Sequence, residues 1–165
     1  MTHVPILRRA RLDECATLDD ICFRSKAYWG YDAAFMESVR DQIRVNRDTV
    51  TAGRVWIVAD EADQPCGVLQ VDPLEEGVAD LTLLFVDPGH MRKGIGRTLY
   101  AKALELAAAL GARYLVIDAD PQAAAFYASM GATRTGSEPT GYQGRLLPKF
   151  RVALDRPPTP QPTTR

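Results

Sequence analysis

The residues best suited to chemistry fall in one stretch, Val86-Asp-Pro-Gly-His-Met-Arg-Lys-Gly-Ile-Gly96. Pro88 and Gly89 turn the chain. Gly94 and Gly96 remove side chains where a helix would begin. The first N–H groups of a helix have no partner within it, and the helix dipole makes that end positive. Arg92, Lys93 and Arg97 add formal charge. Such a loop is built to grip a phosphate or diphosphate. Two familiar phosphate loops can be tested against it. Gly89 and Gly94 have the nucleotide P-loop spacing, but Ile95 stands where its lysine is required and Gly96 where its Ser/Thr is required. That loop is excluded. A dinucleotide fingerprint would start at Gly94 and Gly96, but its third glycine is Leu99 and the preceding strand is the fourth rather than the first. That fit is weak.

A second stretch, Asp120-Pro-Gln-Ala-Ala-Ala-Phe-Tyr-Ala-Ser-Met-Gly131, follows downstream. Together the two resemble the GNAT superfamily of N-acetyltransferases. The family pattern is a strand, V-x-P, then [QR]-x-x-G-x-[GA] opening a long helix, and later N-x-x-A-x-x-F-Y-x-x-x-G. Order, spacing and the surrounding β/α succession agree over about residues 4–154. Two positions depart. Met91 stands at the Gln/Arg position, which removes a side-chain contact but leaves backbone amides in place. Asp120 stands at the usual Asn position and adds a negative charge at a strand end.

The resemblance implies direct transfer of acetyl from acetyl-CoA to a primary amine of a small molecule or peptide, with no metal required. It implies that Leu84, Phe85 and Val86 pair with the pantetheine arm through their backbone. The diphosphate would lie on amides of Met91, Arg92, Lys93, Gly94, Ile95 and Gly96, with Arg97 and Thr98 at its edge. Asp120, Phe126 and Tyr127 would complete the coenzyme side. An amine of lysine type has a pKa of about 10.4, so a base must take its proton before it attacks. The leaving thiolate then needs an acid. Each such group contributes about 10²–10⁴-fold. Tyr127 matches the family tyrosine that faces the sulfur and is the candidate acid; by pattern alone it is a core aromatic beside Phe126. Asp80, on the strand before the loop, is the candidate base or a solvated strand-start residue. With strict alternation, Thr82 and Leu84 share its face. His90 reads as structural, Cys66 has no partner for a nucleophile's role, and Asp72, Glu75 and Glu76 read as a solvated turn. Tyr28, Trp29, Tyr31 and the stretch Tyr142–Arg145 are the candidate acceptor contacts, or else aromatics closing the core. A non-catalytic acyl-CoA-binding module of the same fold is the competing expectation.

The elements that must position these groups follow from hydrophobic period. Val4–Arg9, Arg54–Ala59, Cys66–Val71, Val78–Val86, Tyr114–Asp118, Ala132–Glu138 and Phe150–Leu154 read as strands. Asp13 is the candidate cap of a first helix carrying Cys15, Leu18 and Cys22. Ser25–Tyr31 reads as a loop. Asp32 caps a second helix running to about Arg47 through Phe35, Val39 and Ile43. Gly94–Leu110 is a long helix, and a last helix runs from Pro121 to Met130. The segment PTGYQGRLLP between the last two strands reads as a loop. The order β-α-α-β-β-β-α-β-α-β-β defines an α/β (α+β) fold. A mixed, mostly antiparallel sheet of about seven strands carries helices on both faces, with a right-handed crossover over 78–118.

The chain has 165 residues, a length that fits one domain of about 100–200 residues, taken as 1–155 with a flexible Pro/Thr-rich tail at 156–165. Twenty basic and twenty-one acidic residues give a net charge of −1, without the basic excess of a nucleic-acid binder. The three cysteines form no CxxC pair, and neither a zinc site nor a disulfide framework fits. No stretch approaches the ~20 apolar residues of a membrane span, and the N-terminus lacks a signal-peptide core. A cytoplasmic enzyme is the expectation, and a homodimer is an analogy with the family.

Overall fold

A computed structural model describes residues 5–140 and 144–154. The start of the first expected strand at Val4, Tyr142 and the 156–165 tail lie outside these residues. The strands are β1 (Ile6–Arg9), β2 (Val55–Ala59), β3 (Pro65–Pro73), β4 (Val78–Val86), β5 (Tyr114–Asp118), β6 (Thr133–Pro139) and β7 (Leu146–Ala153). They form one sheet in the order β1-β2-β3-β4-β5-β7-β6. Every neighbouring pair is antiparallel except β4 and β5. The mixed sheet expected from the sequence is therefore present. β7 begins earlier than expected, because Leu146 and Leu147 pair with Pro139 and Glu138 of β6.

Five α-helices cover the two faces: α1 (Cys15–Ala27), α2 (Ala33–Val39), α3 (Arg47–Thr51), α4 (Ile95–Ala109) and α5 (Ala124–Ser129). On one face Ile95, Leu99, Ala103 and Ala107 of α4 pack with Leu69, Val71, Leu81, Leu115 and Ile117 of the sheet. On the other, Leu18, Ile21 and Cys22 of α1 and Phe35 and Met36 of α2 pack with Val55, Ile57, Val68 and Leu83. Each fully buried Leu or Ile contributes about 1.5–3 kcal/mol. α4 sits so close to β3 that a Cβ on Gly67 would lie 2.8 Å from an Ile95 methyl.

Local expectations differ at three points. Asp13 does not cap α1. It lies in a 3-10 turn, Leu12–Glu14, that leads into α1, and the Glu14 side chain braces that turn by accepting from the Arg11 backbone N–H at 2.9 Å. α1 runs on through Ser25, Lys26 and Ala27, so three of the seven residues of the expected loop are helical. Asp32 does cap α2, accepting from the Phe35 N–H at 2.8 Å, but that helix ends at Val39. A 3-10 turn follows, Arg44 is extended, and Asn46 accepts from the Asp48 and Thr49 N–H groups to start α3. A competing cap ended the helix that the apolar period alone would have continued.

Two irregularities of β4 shape the site. Gln70 faces Leu83 while Val71 faces Leu81, so Thr82 is an extra residue, a β-bulge. The bulge resets the alternation. Leu84 packs on the α4 side with Leu81, so it does not share the face of Asp80 as strict alternation predicted. Also, β4 pairs with β5 only at Val78, Ala79 and Asp80. From Leu81 onward the two strands part, while β5 stays paired to β7 through Asp118. The sheet is split into a V at the end where the glycine loop begins.

Candidate active site

A cavity of about 890 Å³ fills this V and passes from one sheet face to the other. Its α4 side is the start of that helix. Gly94 is the N-cap, at φ +81°, and offers no side chain to the helix amides. Arg92 also has a positive φ, +66°. This left-handed bend suits glycine and turns successive N–H groups toward one point. No atom lies within 4 Å of the Cβ that a substitution at Gly94 would add. A Cβ on Gly96 would sit 3.4 Å from the Phe126 ring, so glycine there lets the ring close on the helix start. Among the described residues Arg92, Lys93 and Arg97 enter no ion pair. Bare amides, open space and unpaired cations fit a diphosphate. The loop is anchored from behind: Asp87 accepts from the Gly89 N–H at 2.9 Å and from Arg24 of α1 at 2.7 Å.

Leu84, Phe85, Val86, Met91, Arg92, Gly94, Ile95, Gly96, Arg97, Asp120, Phe126 and Tyr127 all line the cavity, as do Tyr28 and Trp29. Lys93, Thr98, Asp80 and Tyr31 do not. Thr98 spends its hydroxyl on the Gly94 carbonyl at 3.2 Å, within the helix. Tyr31 is one layer back. Tyr127 is 5% exposed, stacked among Phe126, Tyr100 and Phe150, and its hydroxyl has no hydrogen-bond partner among the described residues. Burial raises its pKa, so it stays a protonated donor.

Asp80 sits where β4 and β5 are still paired, directly across from Asp72 of β3. Burial first, then the charges of Asp118 and Asp72, push its carboxyl up to about 6. Asp72 itself is tied up: it accepts from Thr49, Gln70 and Thr82. It is thus part of a half-buried polar network rather than the solvated turn expected. Asp118, at the rim, lines the cavity.

The opposite wall holds an ionic cluster that the sequence did not announce. Asp120 accepts from Lys26 Nζ at 2.7 Å, Arg145 Nη2 at 2.9 Å and the Tyr31 hydroxyl at 2.9 Å. Arg145 Nη2 also donates to the Tyr31 oxygen at 2.6 Å. Burial is the largest single influence and works against the Asp120 charge, but the Lys26 hydrogen bond and charge, the Gln122 N–H and the Tyr31 hydroxyl together outweigh it, and the carboxyl falls below its usual range. It therefore cannot serve as a base near neutrality. Pattern alone places Lys26 in a loop and gives it no role; the extension of α1 through Ala27 fixes its place, where it meets Asp120. Phe35, Ser38, Gln42 and Leu147 also line the cavity unannounced, since only tertiary packing brings them there.

Donor atoms of His90, Cys66 and Asp60 lie within 4.8 Å of one another. Asp60 there caps its own turn, accepting from the Ala62 and Gln64 N–H groups, and burial keeps the Cys66 thiol protonated.

The sheet is split and an uncapped helix start stands at its mouth, and residues 14–132 match the acetyltransferase (GNAT) family. The chain belongs to that family and is a GNAT-type N-acetyltransferase dependent on acetyl-CoA. It is similar to the peptidyl-lysine N-acetyltransferase YjaB of Escherichia coli (strain K12), 27% identical over 89% of this chain and 95% of that protein. The solution structure of apo YjaB superposes with a TM-score of 0.65 at 26% identity, covering 94% of this chain and all of the other (100%). The PaiA N-acetyltransferase of Thermoplasma acidophilum, solved in complex with coenzyme A, shares the fold at TM-score 0.75 and 14% identity, covering 92% of this chain and 100% of that one.

Proposed function

We propose that the α4 side of the cavity holds acetyl-CoA and that the α1 side presents a primary amine to its thioester. The observation that carries this is the parting of β4 from β5 above Asp80, with an uncapped helix start at its mouth. Exposed backbone of Leu84–Val86 runs alongside the pantetheine arm. The amides from Met91 to Gly96 and the charges of Arg92, Lys93 and Arg97 hold the diphosphate. Tyr127 gives its phenolic proton to the departing CoA thiolate. Asp80 takes the proton of the attacking ammonium through water in the cleft; a carboxyl near 6 is ionised at neutral pH yet basic enough to accept. The relative YjaB is named for peptidyl-lysine, which supports an amine acceptor in general.

A cytoplasmic setting is supported by three unpaired, buried cysteines, and no helix among the described residues is long and apolar enough to cross a membrane. The balanced charge argues for a small amine or peptide rather than nucleic acid. A homodimer rests on the family analogy alone.

The test is turnover. Released CoA thiol is followed over a panel of amines, with acetyl-CoA binding measured by calorimetry. Binding and thiol release are expected in the native chain. Tyr127→Phe should lower kcat by about 10²-fold with little change in coenzyme affinity, the scale of one lost general acid. Unchanged turnover in that variant would remove Tyr127 from the mechanism.

A further inference from the structure

One carboxylate in the cavity wall serves two buried cations. Lys26 and Arg145 are 9% and 16% exposed at the side chain, and both pair with Asp120, itself 13% exposed. The count leaves one positive charge without a partner. Removing a charge from water costs several kcal/mol unless an opposite charge compensates it, so a surplus of this kind calls for an anion. Among the described residues the surroundings do not supply one. Tyr31 and Phe35 lie under both cations, with Lys26 Nζ at 5.5 and 5.7 Å from their ring centres and the Arg145 guanidinium at 4.8 and 4.7 Å. These rings fix the cations and ease their burial without neutralising them. Burial holds Tyr31 in its neutral form, donating to Asp120. Asp118 also lines the cavity, but it pairs with neither cation: it faces Lys149 at 3.7 Å, a lysine it shares with Glu138 at 2.9 Å, while Lys26 and Arg145 both turn to Asp120. Donors are to spare as well. Lys26 spends one of its three N–H groups, and Arg145 spends only Nη2, among the described residues.

The coenzyme's phosphates do not account for this charge. They have Arg92, Lys93, Arg97 and the bare amides at the α4 start. Lys26 belongs to α1 and Arg145 to the approach to β7, and their partner Asp120 follows Asp118 on the α1 face of the sheet. Both cations line the cavity on the side left for the acceptor. Resting on the acetyltransfer reading above, we propose that the acceptor is a small amine carrying its own carboxylate, an amino-acid-like molecule, and that Lys26 and Arg145 bind that carboxylate. Two fixed cations set the acceptor's orientation, so that its amine points toward the thioester. They also disfavour the protonated amine by repulsion, which eases loss of its proton. A lysine side chain within a peptide has only neutral amides nearby and leaves the surplus charge unmet.

The experiment compares matched acceptors with the full chain: free L-amino acids and β-alanine, each against its carboxamide, plus an end-capped lysine peptide. Thiol release gives kcat and KM, and calorimetry gives acetyl-CoA affinity. At least one free acid should exceed its carboxamide by 10-fold or more in kcat/KM. Arg145→Gln should bring that ratio toward one, chiefly through KM, with acetyl-CoA affinity unchanged, and Arg145→Lys should restore part of it. Because Lys26 is buried and its removal could unfold the chain, Arg145 carries the test, with thermal melts as the folding control. Turnover confined to carboxamides or the capped peptide overturns this proposal and leaves acetyltransfer standing. So does a ratio that Arg145→Gln does not move, or a loss of coenzyme affinity in its place. Coenzyme binding with no thiol release from any amine defeats the acetyltransfer reading first, and this one with it.

Discussion

The two ends of the cavity are built by different physics. The diphosphate end is backbone: a glycine N-cap in the left-handed region, a positive-φ Arg92, and helix amides that no side chain satisfies. The acceptor end is side chain: Lys26 of α1, Tyr31 of the following loop, Asp120 beyond β5 and Arg145 before β7 meet within 3.0 Å contacts across four segments. A backbone site is local and tolerates substitution wherever a glycine is not required. A side-chain site is long-range, and every member depends on the others. The first end can be shared by a whole family while the second diverges with the substrate.

The strongest break of the comparison comes at the backbone end. Gly94→Asp puts a side chain into the space over the helix start, at a φ that a side chain disfavours, and adds a negative charge where phosphate is to sit. Losing two or so charge-assisted hydrogen bonds costs about 3–4 kcal/mol, so acetyl-CoA affinity should fall by about 10²–10³-fold. The melting temperature should fall by only a few degrees: nothing packs on Gly94, and the left-handed backbone costs a side chain about 1–3 kcal/mol. Calorimetry reads the first effect and a thermal melt the second. Retained affinity would show that the amides of this loop do not hold the coenzyme.

The same contrast explains how far the sequence could be read. The loop at 86–97 was legible because its information is local: a strand period, two turn residues, then glycines at fixed offsets before a helical stripe. The seven strands were legible for the same reason. The acceptor end was legible only in part: Tyr31 and Arg145 lie in the segments named for it, but nothing in the chain says that they meet. Asp120 stood out only as a departure from a pattern, and nothing near it in the chain names Lys26, 94 residues away. The bulge at Thr82 was equally hidden. Val78–Val86 carries no glycine or proline to mark it, and one inserted residue reverses every later side chain. Local chemistry also misled at Arg44–Asn46, where a cap outweighed the apolar period.

A smaller effect is expected from the side-chain end, and of another kind. Asp120→Asn keeps the shape but leaves Lys26 and Arg145 with no carboxylate. Removing one partner of a buried ion pair is destabilising by about 3–5 kcal/mol; with water reaching the cavity about 3 kcal/mol is expected here. Urea unfolding at pH 7 measures it. The sign with pH follows from the lowered Asp120 carboxyl: its stabilisation is present above the unfolded value of 3.8 and is lost as pH falls through the folded one. The two proteins should therefore converge in strong acid. Equal stability at neutral pH would mean that solvent already neutralises the cluster and would blur the contrast between the two ends.

The smallest effect sharpens the comparison at the point where the strands part. Asp80 is raised from 3.8 to about 6, so between those values the folded chain binds more protons than the unfolded one. Stability must then fall as pH rises through that window, and the penalty is complete above it. Asp80→Asn removes the penalty. It should stabilise the fold by about 1–2 kcal/mol at pH 7.5, after allowance for the solvent that reaches the group, and by nothing below about pH 4. The same change should lower kcat/KM and abolish an acid limb near pH 6 in the rate profile. A gain in stability without loss of rate would assign the proton to another acceptor, with cavity-lining Asp118 the nearest by charge. A loss of both would mean that the Asp80 carboxylate is held by contacts that favour its charge, against the burial and the like charges of Asp118 and Asp72 that raise it.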